Sequence, residues 1–160
     1  PFAPGAAYGS AKCWPPERVA EFLEKAVKKI HARVVFLGGR RERDVIARIT
    51  AATGVPSWNM AGDYPLRTQA GVIMKAGLCV ANDSGLMHVA AALPGVRTVA
   101  LFGPTRPEQT APFGREHRIL HHPPDCWPCN YRRCPMDHAC MRYISAEEVL
   151  NAVETVLRKM

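Results

Sequence analysis

Five places along this chain carry residue types that do chemistry, and the densest is Asn82-Asp83-Ser84-Gly85-Leu86-Met87-His88. It follows the short apolar run Gly77-Leu78-Cys79-Val80-Ala81 and precedes an Ala/Leu-rich stretch stopped by Pro94-Gly95. That pattern predicts a buried parallel strand handing over to a helix. Asp83 or Ser84 is placed to cap the helix, and Gly85 keeps the turn open to close approach. A helix start at the carboxyl end of a parallel strand aims unpaired N–H groups and partial positive charge into the crevice where such sheets bind ligands. An acid, a hydroxyl, a glycine and His88 thus gather where a phosphorylated sugar would sit. The plain alternative is an ordinary capped helix whose His88 packs at the surface.

Lys12 lies in the first loop after the first strand, among Gly9, Ser10 and Ala11. A flexible ammonium over small residues is a common way to neutralise a diphosphate. The pattern is neither a P-loop nor a dinucleotide fingerprint, and a lone exposed lysine is the alternative. Glu42 follows Gly38-Gly39 at the tip of the second strand, where an acid commonly accepts hydrogen bonds from ribose hydroxyls. A helix-start carboxylate favoured by the dipole explains Glu42 equally well. Thr105, after Phe102-Gly103-Pro104, offers a hydroxyl on the same edge or serves only the turn.

The fifth place is a loop in which Cys126, Cys129, Cys134 and Cys140 are separated by two, four and five residues. Four thiolates so close suit tetrahedral zinc or an iron–sulfur cluster. In a cytoplasmic chain that reading outranks two disulfides, and reduced structural cysteines are the other alternative. The loop is otherwise poor in core-forming residues, so a metal would supply order. Zinc held by four sulfurs has no open position, and its role would be structural. His121, His122 and His138 are spare ligand candidates, whereas Cys13 and Cys79 stand apart, Cys79 as a core residue.

The elements that must hold these groups follow from periodicity. Trp14-Pro15-Pro16-Glu17 starts a helix with Val19, Phe22, Leu23, Ala26, Val27 and Ile30 on one face. Val34-Val35-Phe36-Leu37 is a strand, 42–53 a second helix stopped by Gly54, and Ser57-Trp58-Asn59-Met60 a third strand. A third helix spans 66–76, and Thr98-Val99-Ala100-Leu101-Phe102 is the strand after the Asp83 helix. Strands and helices alternating this regularly argue for an α/β parallel sheet covered by helices on both faces. From Arg106 the texture turns to Pro, His, Arg and Cys, with His117-Arg118-Ile119-Leu120 alone resembling a strand. Ser145-Ala146-Glu147-Glu148 is a capping box launching a last helix to about residue 158. Residues 1–160 read as one domain, including the Cys-rich loop at 121–143.

The chain is 48% hydrophobic and 22% charged, as soluble globular domains are, and its apolar runs are too short to span a bilayer. Pro1-Phe2-Ala3-Pro4-Gly5 resembles the inside of a fold rather than a signal peptide, so a cytoplasmic place is expected. A formal charge of +7 suits an anionic partner, and the scattered basic residues point mostly to a solvated surface.

Taken together, these motifs resemble glycosyltransferase family nine, the ADP-heptose:lipopolysaccharide heptosyltransferases. The matching residues are Pro4-Gly5-Ala6 through Lys12-Cys13-Trp14-Pro15, Leu37-Gly38-Gly39 with Glu42, Asn59-Met60-Ala61-Gly62, Asn82 to His88, and Phe102-Gly103-Pro104-Thr105. The resemblance implies the carboxyl-terminal, donor-binding half of an enzyme with two Rossmann-like domains; the acceptor domain and its catalytic base lie outside this chain. It implies Lys12 on the diphosphate beside Tyr8, Gly9 and Ser10, Glu42 on the ribose, and the backbone near Tyr64 on adenine. Asp83 would bind heptose hydroxyls, Ser84 and Gly85 phosphate, and His88 would support their turn. The reaction implied is inverting transfer of heptose from ADP-heptose to a lipopolysaccharide core acceptor, without an organic cofactor, in the cytoplasm or peripherally at the inner membrane. No nucleic-acid partner is expected of that family. Two rival readings remain: a zinc-containing nucleic-acid-binding module, suggested by the charge, Arg132-Arg133 and the cysteines, and a nucleotide-binding domain without chemistry.

Overall fold

Short apolar runs punctuated by Gly and Pro become parallel strands in the computed structural model, which describes residues 1–114 and 116–159. The strands are β1 (Phe2–Ala3), β2 (Val34–Phe36), β3 (Ser57–Asn59), β4 (Leu78–Asn82), β5 (Arg97–Phe102) and β6 (Arg118–His121). They form one 6-stranded sheet in the order β3-β2-β1-β4-β5-β6, with every pairing parallel. The helices are α1 (Pro16–Ile30), α2 (Arg43–Thr53), α3 (Leu66–Ala76), α4 (Gly85–Ala92), α5 (Pro107–Thr110), α6 (Ala139–Arg142) and α7 (Ala146–Leu157).

The pleat sends neighbouring residues to opposite faces. Phe2, Val80 and Leu101 pack with α1, α2 and α7, whereas Ala3, Ala81 and Ala100 pack with α3 and α4. Both faces are therefore covered, as the alternation of elements predicts. The chain winds from β1 out to β3, then returns to β4 and winds the other way. Loops leaving β1 and β4 consequently diverge, and a crevice opens between them at the carboxyl ends of the strands.

Helix 66–76 forms where expected, and the strand-like stretch near residue 118 becomes β6 at the edge, paired with β5. The second helix begins later than its pattern suggests. A tight turn over Arg40–Glu42 precedes it, and α2 starts at Arg43. Within 106–141 the four-residue helices α5 and α6 were not foreseen, because so short a helix shows no periodicity. The capping box of α7 is half formed. Ser145 Oγ accepts from the Glu148 N–H at 3.1 Å, but the Glu148 carboxylate turns away to the His122 ring at 2.8 and 2.9 Å.

Candidate functional site

The end of β4 is fastened to the first loop by Asn82. Its amide donates to the Pro4 carbonyl at 2.5 Å and accepts from the Trp14 N–H at 3.3 Å, in full burial. The next residue, Asp83, is locked by its own N–H to the Leu101 carbonyl at 3.0 Å. Its carboxylate then meets two groups from different loops. Lys12 Nζ lies 2.5 Å from Oδ2, and Thr105 Oγ1 donates to the same oxygen at 2.6 Å. The side chains of Lys12 and Asp83 are only 10% and 4% exposed, which removes the alternative of a lone surface lysine. Three residues predicted separately are thus one buried cluster. An ammonium has three N–H donors, so two remain for a ligand once Asp83 has taken one.

The commitment of Asp83 has a consequence for α4. Ser84 occupies the cap position in extended conformation, yet no side chain caps the helix, contrary to the expectation for Asp83 or Ser84. Ser84 Oγ is buried without a hydrogen-bond partner among the described residues. The first N–H groups of α4 are left without a side-chain acceptor at the mouth of the crevice. His88 is exposed, and among the described residues its ring bonds to nothing in this turn; only its N–H reaches Ser84 O, at 3.4 Å. The expected support of the turn by that ring is therefore not what the structure has.

Between the loops lies an open cavity of about 500 Å³ lined by Gly5, Gly38, Gly39, Glu42, Ser84 and Gly85 among others. Glu42 curls back so that Oε2 accepts from the Gly39 N–H at 2.8 Å. It crosses directly over Gly5, where a Cβ would come within 2.2 Å of Glu42 Cγ, so no larger residue fits. Tyr64 stands outside this cavity, edge-on to Trp58 at 5.6 Å between ring centres. Tyr8 belongs to the Lys12 loop, and its ring lies 4.7 Å from the ammonium. Gly9 leads into the single turn Ser10–Lys12 that carries the lysine inward.

Gln69 is a positioning residue that sequence reasoning missed. From α3 its amide donates to the Gly38 carbonyl at 3.1 Å and to the Tyr64 carbonyl at 3.0 Å, and accepts from the Gly38 N–H at 2.9 Å. It ties the Glu42 turn to the loop after β3. The signal was present: Gln69 sits four residues before the core Ile73, a polar side chain on a buried helix face.

The cysteines are all free thiols, with Cys126 exposed, Cys129 and Cys134 half-buried, and Cys140 buried. Burial above all, with nearby Cys134, Cys129 and Cys126 adding to it, pushes the Cys140 thiol up to about 11, so the four share a neighbourhood. Among the described residues, however, no three His, Cys, Asp or Glu side chains are gathered as a metal would require. Helix α6 draws Cys140 into the core while the others stay on the loop. The spare histidines are engaged elsewhere: His122 with Glu148, His121 against the Trp127 ring at 4.9 Å, and His138 with the Ala11 carbonyl at 2.7 Å.

Residues 1–140 match the model of glycosyltransferase family 9, the heptosyltransferases. The chain is 31% identical over 160 residues to lipooligosaccharide heptosyltransferase 2 of Campylobacter jejuni, covering 97% of this chain and 50% of that protein. It is 37% identical over 123 residues to lipopolysaccharide heptosyltransferase 2 of Escherichia coli, covering 74% of this chain and 35% of that protein. The solved structure of E. coli ADP-heptose lps heptosyltransferase II superposes with a TM-score of 0.85 at 30% identity, over 99% of this chain and 46% of that one. The chain thus spans half or less of the length of these relatives. With the parallel sheet, its crevice and this match over most of the sequence, the chain belongs to glycosyltransferase family 9.

Proposed function

We propose that this chain is the carboxyl-terminal, donor-binding domain of an inverting heptosyltransferase that uses ADP-heptose to extend the lipopolysaccharide inner core. The observation that carries the reading is the Lys12 ammonium, held on the Asp83 carboxylate that Thr105 also bonds, beside the uncapped start of α4. Fixed positive charge from one loop and free N–H groups from the next suit a diphosphate between them. Glu42 and the Gly38-Gly39 turn take the ribose side of the ligand, and Tyr8, Gly9, Ser10, Ser84 and Gly85 surround the phosphates. In the transfer, an acceptor hydroxyl oxygen attacks the anomeric carbon as the bond from that carbon to the β-phosphate oxygen breaks. The hydroxyl proton goes to a base on the acceptor domain, and ADP departs with the electron pair. Lys12 and the α4 dipole stabilise the charge developing on the leaving phosphate. Asp83, neutralised by Lys12, keeps a second oxygen for heptose hydroxyls.

Titration calorimetry with ADP, ADP-heptose, AMP, GDP and UDP tests this reading. ADP and ADP-heptose are expected to bind more tightly than the other three. A chain that binds ADP no better than AMP would have no diphosphate site. The rival nucleic-acid module is tested by binding to DNA or RNA across a salt series, where a steep salt dependence at higher affinity than for ADP favours it.

Cys126, Cys129, Cys134 and Cys140 are proposed to close on one structural metal ion. The donor chemistry supports this: four unbridged thiols in one neighbourhood, on a loop with little core of its own. Elemental analysis of protein purified without oxidation is expected to find about one equivalent of zinc, or an iron cluster, per chain; metal-free protein ends the idea.

A further inference from the structure

The loop between β6 and α7 does more than carry cysteines: it is bonded to both loops that hold the Lys12 cluster. On one side the Trp127 indole donates to the Thr105 carbonyl at 3.1 Å, and the Asn130 N–H donates to the Pro104 carbonyl at 3.2 Å. On the other side the Ala11 N–H donates to the Arg132 carbonyl at 3.1 Å. The Tyr8 hydroxyl donates to the Asn130 carbonyl at 2.5 Å, and Arg132 Nε donates to the Tyr8 carbonyl at 2.8 Å. The backbones run so close that a Cβ on Gly9 would lie 2.1 Å from the Arg132 carbonyl oxygen.

Tyr8 is the hub of these contacts. Its ring lies 4.7 Å from Lys12 Nζ and 5.5 Å from the Arg132 guanidinium carbon. A lysine stem has several rotatable bonds and loses rotamer freedom when held. Here two groups hold it, the Asp83 carboxylate and the Tyr8 face. With one donor committed to Asp83, the ammonium has two left for a diphosphate, and the Tyr8 face limits where it can move. Tyr8 sits on a loop of small residues with one turn of its own, so its orientation is imposed from residues 130–132.

We propose that Arg132 is a positioning residue for the donor site: by gripping the Tyr8 carbonyl and ring it sets the Lys12 ammonium against the diphosphate. It does not line the cavity and does not touch the ligand. The proposal rests on the diphosphate reading given above.

Calorimetry on the intact 160-residue chain, with ADP, AMP and adenosine as titrants, tests it. Arg132→Ala is expected to weaken ADP binding about five- to tenfold, the scale of one cation–π or charge-assisted contact. AMP and adenosine, which do not reach the Lys12 ammonium, keep their affinities. Arg132→Lys retains a cation and a donor and recovers most of the loss. Tyr8→Leu removes the platform and loses the preference for ADP over AMP to the same degree. Unchanged ADP binding in Arg132→Ala overturns the proposal, and so does an equal loss for all three ligands, which marks a general loosening of the fold. If wild type prefers ADP and Arg132→Ala keeps that preference, the diphosphate site stands and only the brace falls. If wild type shows no preference, the diphosphate site itself falls and takes the brace with it.

Discussion

Lys12 and Asp83 are 71 residues apart in sequence and share a hydrogen bond in the interior, so each is the other's main compensation for leaving water. Removing one partner strands a buried charge. Lys12→Met is expected to destabilise the chain by about 3 kcal/mol, and adding Asp83→Leu to recover part of that loss. Urea unfolding of the two single variants and the double variant checks this as a cycle; additive losses would mean the pair is uncoupled. Both residues stood out as chemical from their neighbours, yet spacing along the chain carries no distance, so their pairing and the arrival of Thr105 on the same oxygen were not legible. Cys79 offers a second test at this scale. Burial pushes its thiol from an ordinary 9.0 up to about 11. The folded value is the higher one, so stability is whole below pH 9 and is lost as pH rises toward 11. Between pH 8.5 and 10 wild type is expected to lose on the order of 1 kcal/mol more than Cys79→Ala, read from denaturant midpoints at each pH.

Helix α7 shows what one side chain contributes to an element. Ser145 satisfies a single N–H at the start of α7, and with Glu148 turned to His122 no reciprocal bond supports it. Ser145→Ala is therefore expected to cost about 1 kcal/mol, or about 2–4 °C in melting temperature by calorimetric scan. Elements of this length were readable because their apolar residues repeat. Val149, Leu150, Val153 and Val156 lie buried along α7 as their spacing requires, and the apolar runs of β4 and β5 form interior strands of the sheet. What escaped the sequence was short or irregular: the turn ahead of α2, the helices α5 and α6, and the inward Gln69 on α3. Each is set by a tertiary partner rather than by a local repeat. The uncapped start of α4 escaped for a related reason, since nothing in Asp83-Ser84 reveals that the acid is claimed by Lys12.

Across the whole molecule, the reversal of winding between β1 and β4 puts every candidate ligand group on one edge of the sheet. A ligand held there touches loops from both halves of the sheet and binds only when they are folded together. Saturating ADP at a hundred times its dissociation constant is thus expected to add about 2.7 kcal/mol to unfolding in urea, against none from adenosine at the same concentration. The contacts between the Tyr8–Lys12 loop and residues 130–138 bridge separations of 121 to 127 residues. On a ribosome, then, the lysine loop emerges well before residues 130–138 and stays unbraced until they follow it. Premature termination just short of Asn130 would leave β1 to β6 in place and the lysine loop without its brace.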